Sequence, residues 1–171
     1  MSLRFPVEEQ RIDLMTDQGR LARARRFVVQ VELVDQVRGP FRLRPTIDTG
    51  APFSVIPYSV RRKHNLWYNP LGNEWMTLDG EPAPAASLWL GIPCEFGEVT
   101  VTLVDNLNNR SRSLRVAAKL PRSPVPSHME TTVLLGYNFL ADNNLTLTVH
   151  PGSRTTIGSI ANVVGFLSTE S

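Results

Sequence analysis

The chain has 171 residues, of which 42% are hydrophobic and 20% charged, a balance that fits one globular domain and excludes an intrinsically disordered chain. A net charge of +2 is too small to indicate a nucleic-acid partner, and no apolar run is long enough to cross a bilayer. A single cysteine, Cys94, forbids an internal disulfide and fits a reducing compartment; with no secretory signal visible, a soluble cytoplasmic protein is expected.

Residues 1–25 are polar and aperiodic and are expected to form an N-terminal extension or arm. "RFVVQVELVD" (26–35) is rich in β-branched residues and predicts a strand, and the Gly-Pro pair of "QVRGP" predicts a turn. "FRLRPTI" (41–47) alternates apolar and basic residues as the hairpin partner and runs into Asp48. "FSVIP" is a short extended piece, and "YSVRRKHNL" (58–66) a brief helical or coil segment. "EWMTLDGEPAPAASLWLGIP" predicts two extended arms around a tight turn at Asp79-Gly80, with Pro82 and Pro84 holding them at an edge. "GEVTVTLVD" (97–105) and "SLRVAAKL" (113–120) read as strands. After the proline-rich loop 121–132, "VLLGYNFLADNNLTLTVHP" predicts a buried strand, a glycine, one or two helical turns and a strand from Leu145. The pattern is all-β, with the domain over 26–160 and a tail over 161–171.

Asp48 lies between an apolar strand and the small residues Thr49, Gly50 and Ala51. Asp-Thr-Gly is good turn chemistry in its own right, because aspartate caps its own backbone and glycine accepts positive φ. Here a second element, a hydrophobic run ending in Leu135-Gly136 and followed by a helical pattern, stands downstream of it.

Together "IDTGAPFSVIP", a hairpin near "TLDGEP" and "VLLGYNFL" resemble the retropepsin-like aspartic peptidases over roughly residues 27–149. The resemblance implies a small closed β-barrel with one short helix near its C-terminal end. It also implies an aspartic endopeptidase that is active as a homodimer on extended peptides. Metal-free amide hydrolysis needs a general base and a general acid, which two adjoining carboxylates sharing one proton supply. The chain has one Asp-Thr-Gly, so twofold symmetry would have to bring Asp48 against its copy. The resemblance makes Asp48 catalytic. It gives Thr49, Gly50 and Ala51 to support of the active-site loop, and makes Leu135 and Gly136 structural beside it. Trp75, Leu78, Asp79 and Gly80 would belong to a flap that closes on substrate.

Viral members carry an acidic residue and an arginine where this chain has Pro52 and Tyr137, so apolar packing of those two side chains is expected at that corner. The loss of this ion pair leaves an alternative open: a catalytically silent dimerisation or peptide-binding module of the same fold. No cofactor and no metal are expected, since His64, His128 and His150 lie without ligand spacing. Cys94 is expected to pack, Trp67, Trp75 and Trp89 to lie in the core or against the flap, and the basic run Arg20 to Arg26 to be a solvated arm that does not bind nucleic acid.

Overall fold

The computed structural model describes residues 2–126, 132–150, 154–157 and 160–169; His128 and part of the proline-rich loop lie outside them. In chain order the elements begin with the strands β1 (Leu3–Met15), β2 (Leu21–Val29), β3 (Val31–Asp35), β4 (Gly39–Leu43), β5 (Thr46–Asp48) and β6 (Ser54–Val55). Helix α1 (Tyr58–Lys63), β7 (Asn69–Gly72), a 3-10 turn at Pro84–Ser87, β8 (Leu88–Trp89), β9 (Ile92–Leu103) and β10 (Leu114–Pro121) follow. The last elements are β11 (Leu134–Gly136), α2 (Tyr137–Asp142), β12 (Leu145–Val149), β13 (Thr155–Ile157) and β14 (Ile160–Thr169).

The protein is all-β, with two short α-helices among the described residues. The strands run in the order β12-β14-β1-β2-β5-β11-β6-β10-β9-β3-β4, with β13 on β14 and both β7 and β8 on β9. Among the described residues the path has two free ends, β12 and β4, so the sheet does not close into the barrel expected from the sequence. The strand expected over 26–35 is broken at Gln30, where the chain changes partners. Before it β2 pairs β5, after it β3 pairs β9, and the Gln30 carbonyl accepts from the Val104 N–H at 3.1 Å.

The ends of the chain differ most from expectation. The supposed N-terminal arm is β1 and much of β2, and residues 161–169 of the supposed tail lie within β14, which pairs β1 from Leu3↔Thr169 to Glu8↔Val163. Phe5, Val7 and Leu167 are fully buried in the main core beside Val29, Leu103, Leu114, Leu135 and Phe139. Full burial of such a side chain contributes about 2 kcal/mol, so these terminal strands form part of what holds the fold together.

Three strands place the site. β11 lies between β5 and β6, parallel to β5 (Leu135↔Ile47, Gly136↔Asp48) and antiparallel to β6 (Leu134↔Val55). The chain from Asp48 to Ser54 therefore leaves one neighbour of β11 and returns as the other, looping around its C-terminal end.

Candidate active site

Asp48 is the last residue of β5 and is half-buried, while Thr49 and Gly50 are exposed. Its Oδ1 accepts the Gly50 N–H at 3.0 Å, and its carbonyl accepts the Ala51 N–H at 3.2 Å. This is the local capping that Asp-Thr-Gly favours. It leaves the second carboxylate oxygen without a hydrogen bond within the described residues and the residue at the rim of the fold.

The loop is clamped from β11. The Tyr137 N–H donates to the Ala51 carbonyl at 2.8 Å and the Asn138 N–H to the Pro52 carbonyl at 3.3 Å. A Cβ on Gly136 would stand 2.5 Å from the Phe53 carbonyl carbon and 2.8 Å from the Ala51 oxygen. Only glycine permits that approach, which is the physical content of the glycine after Leu135. Leu135 itself is buried in the core.

Two residues that sequence reasoning missed complete the clamp. Ser54 is fully buried; its hydroxyl accepts the Gly136 N–H at 3.0 Å and donates to Asn138 Oδ1 at 3.0 Å. Asn138 Oδ1 also accepts the Ser54 N–H at 2.9 Å, and its Nδ2 donates to the Ala117 carbonyl at 2.6 Å. A serine inside the apolar run "FSVIP" was the available signal, since a hydroxyl placed there needs a partner. The corner itself differs from expectation. Pro52 and Tyr137 are both exposed, so main-chain hydrogen bonds hold it and apolar packing of those side chains does not.

Between β7 and β9 the chain makes an excursion over residues 73–91. Its turn stands where Asp79-Gly80 predicted: the Gly80 N–H donates to the Thr77 carbonyl at 2.9 Å, with Gly80 at φ +81°. Thr77 N–H donates to the Glu81 carbonyl, and Met76 bridges Pro82. Leu78 at the tip is fully exposed, and Asp79 is exposed beside it. A second tight turn at Leu90-Gly91, which the sequence reading did not single out, joins β8 to β9.

Trp75 ties the excursion to the loop. Its ring centroid lies 5.1 Å from that of Phe53 and 4.6 Å from that of Phe96, and Lys119 Nζ stands 5.5 Å above it. Phe53 follows the Asp48 loop directly, so Trp75 anchors the excursion beside that loop, while β8 and the hydrogen bond from Lys119 to the Leu88 carbonyl hold its far end and residues 76–82 stand open. A cavity of about 330 Å³ lies against Trp75, Met76, Pro82 and Pro84, and Trp75 Nε1 has no hydrogen-bond partner among the described residues. On the other flank a groove of about 440 Å³ runs from Thr49 and Tyr137 along Leu140, Leu145 and Leu147.

The remaining titratable candidates lie elsewhere. Cys94 is buried, and that burial pushes its thiol above its ordinary pKa, the opposite of an activated nucleophile. His64 stacks on Phe41 with centroids 3.9 Å apart; burial and the adjoining Lys63 lower its pKa. Among the described residues no group of three or more His, Cys, Asp or Glu side chains converges. Trp89 is half-buried, but Trp67 is 59% exposed, outside both the core and the aromatic cluster at the excursion. No helix among the described residues is long and apolar enough to cross a membrane.

No protein-family model matches the chain, and no curated protein is significantly similar to it.

Proposed function

We propose that the protein is a retropepsin-like aspartic endopeptidase whose active site is completed by a second copy of the chain. The observation that carries the reading is the Asp48 loop. A half-buried carboxylate ends a core strand, a Gly50 amide holds one of its oxygens, and the crossing of β11 at Gly136 fixes its backbone. A turn that served only to reverse the chain would not need a strand threaded through it.

One such carboxylate cannot act as both acid and base. Two related by a twofold axis share one proton, because like charges that close do not ionise together. The ionised Asp48 takes a proton from water as the water oxygen bonds to the scissile carbonyl carbon. The protonated Asp48 of the other copy donates to the carbonyl oxygen. Collapse of the tetrahedral intermediate breaks the C–N bond: the departing amine takes the proton that the first Asp48 drew from water, and a hydroxyl of the intermediate returns its proton to the second as the carboxyl product forms. Thr49 and Gly50, exposed at the loop's tip, face the approaching copy. The excursion 73–91, hinged at Trp75, closes over an extended peptide, with Leu78 as its apolar tip.

The exposed Pro52 and Tyr137 favour a second reading, a peptide-binding dimer without turnover, because nothing in their side chains stiffens that corner. Replacing Asp48 by Asn separates the two. Loss of cleavage by roughly a thousandfold or more, with unchanged folding, is expected for the peptidase. Undiminished cleavage by the purified variant rejects Asp48 as the catalytic group. Peptide binding without cleavage by the parent protein, over a broad substrate panel, selects the silent module.

A further inference from the structure

Beyond Gln10 and Arg26, β1 and β2 leave the sheet. Six residue pairs, from Gln10↔Arg26 to Met15↔Leu21, have no third strand beside them among the described residues, because β14 follows β1 no further than Glu8. They form a free two-stranded ribbon about 17 Å long. Its direction follows from register. β2 is antiparallel to β5, with Val28↔Thr46 and Phe27↔Ile47, so the part of β2 preceding Phe27 runs on past the Asp48 end of β5. The ribbon therefore overhangs the same rim at which the Asp48 loop lies.

Its two faces are unlike. On one, arginines lie against carboxylates of the chain: Arg11 donates to Asp13 at 2.7 Å, Arg23 lies 4.0 Å from the same carboxylate, and Arg25 pairs at 3.2 Å with Glu9, which Arg154 also reaches. The other face carries Ile12, Leu14, Ala22 and Ala24, closed at its base by the hydrogen bond from Arg26 to Gln10. Leu14 is 53% exposed, and Met15 and Leu21 at the tip are 70% and 52% exposed. An isolated ribbon is marginal in water, and Leu14, Ala22 and Ala24, exposed beside a half-buried Ile12, leave apolar surface that burial against a partner would remove.

We propose that this ribbon is a clasp that grips a second copy of the chain, with the Ile12–Leu14–Ala22–Ala24 face laid against it. The inference rests on the catalytic dimer proposed above, which brings a second copy to the rim that the ribbon overhangs. Nucleic acid fits less well: Arg11, Arg23 and Arg25 lie against carboxylates, and the apolar face carries a single cation, Arg26, at its base, where it is hydrogen-bonded to Gln10.

The test is sedimentation equilibrium on the full chain, read without reference to cleavage. Leu14→Asp is expected to weaken self-association by roughly tenfold or more, with Leu14→Met close to the parent. Both should keep the parent's circular dichroism, because the side chain is exposed. As a second readout, an environment-sensitive dye on Leu14→Cys should shift to the blue as concentration rises through the dimer range; Cys94 is buried and should not compete for the label. An unchanged dimer constant for Leu14→Asp, a dye that does not respond, or salt-sensitive binding of a DNA duplex that Leu14→Asp abolishes while the dimer persists would each overturn the clasp. A parent dimer that Leu14→Asp weakens but that cleaves nothing supports the clasp and removes the peptidase. Cleavage by a dimer indifferent to Leu14→Asp does the reverse, and a parent that is monomeric at every concentration removes both.

Discussion

The Asp48 loop and the excursion 73–91 sit side by side, joined through the Phe53–Trp75 contact, yet they are built in opposite ways. In the first, buried groups satisfy one another: Ser54, Asn138 and the Gly136 amide form a connected set, and Gly136 has no room for a Cβ. In the second, every residue from Met76 to Pro82 is exposed, and Leu78 touches solvent on all sides. The contrast is between a part whose position is set in advance and a part left free to meet something from outside. A reaction that needs a carboxylate held within fractions of an ångström, under a cover that must open, calls for that division.

If the division holds, substitutions should hurt stability on one side and function on the other. The largest loss is expected for Gly136→Ala, whose Cβ would meet the Phe53 and Ala51 main chain. About 3 kcal/mol of stability should disappear in urea unfolding, against well under 1 kcal/mol for an alanine at an accommodating site. Ser54→Ala comes next. It strands the Gly136 N–H and removes the hydroxyl from Asn138, for a loss of about 2 kcal/mol by the same measurement. Leu78→Ser should move stability by less than about 0.5 kcal/mol, while raising KM for a peptide substrate severalfold. A large stability effect there would show that the excursion is part of the packed body. The smallest effect concerns pH. His64 has a folded pKa below its ordinary value near 6.5, so the unfolded chain takes up the proton first. Its contribution is fully present above that value and declines as pH falls below it, towards the folded pKa. His64→Phe, which keeps the stack on Phe41, should flatten the stability curve in that window.

Much of the site was legible because its chemistry is local. Asp48, Thr49 and Gly50 announce a capped turn, Leu135-Gly136 announces a strand ending in a glycine, and Asp79-Gly80 announces its hairpin. The turn and the hairpin stand where residue types put them, and the close approach of Gly136 to the loop where the resemblance put it. The partnership of Ser54 with Asn138 spans 84 positions, and no local pattern connects two such residues. The terminal strands were hidden for a related reason. In "RFPVEEQRIDLM" the charges Arg4, Glu8, Glu9, Arg11 and Asp13 mask the apolar pattern, and the pairing that makes the first half core, Phe5↔Leu167, comes from the far end of the chain. Open ends at β12 and β4 were equally invisible, since closure is a property of strand order and not of any one strand.

The chemistry requires two subunits whose solitary aspartates meet, and a crystal structure of the assembled protein measures that most directly. The expected result is a pair of Asp48 carboxyl groups about 3 Å apart across a twofold axis, close enough to hold one proton between them. Aspartates facing solvent, or separated by the width of a subunit in every assembly the protein forms, would contradict it.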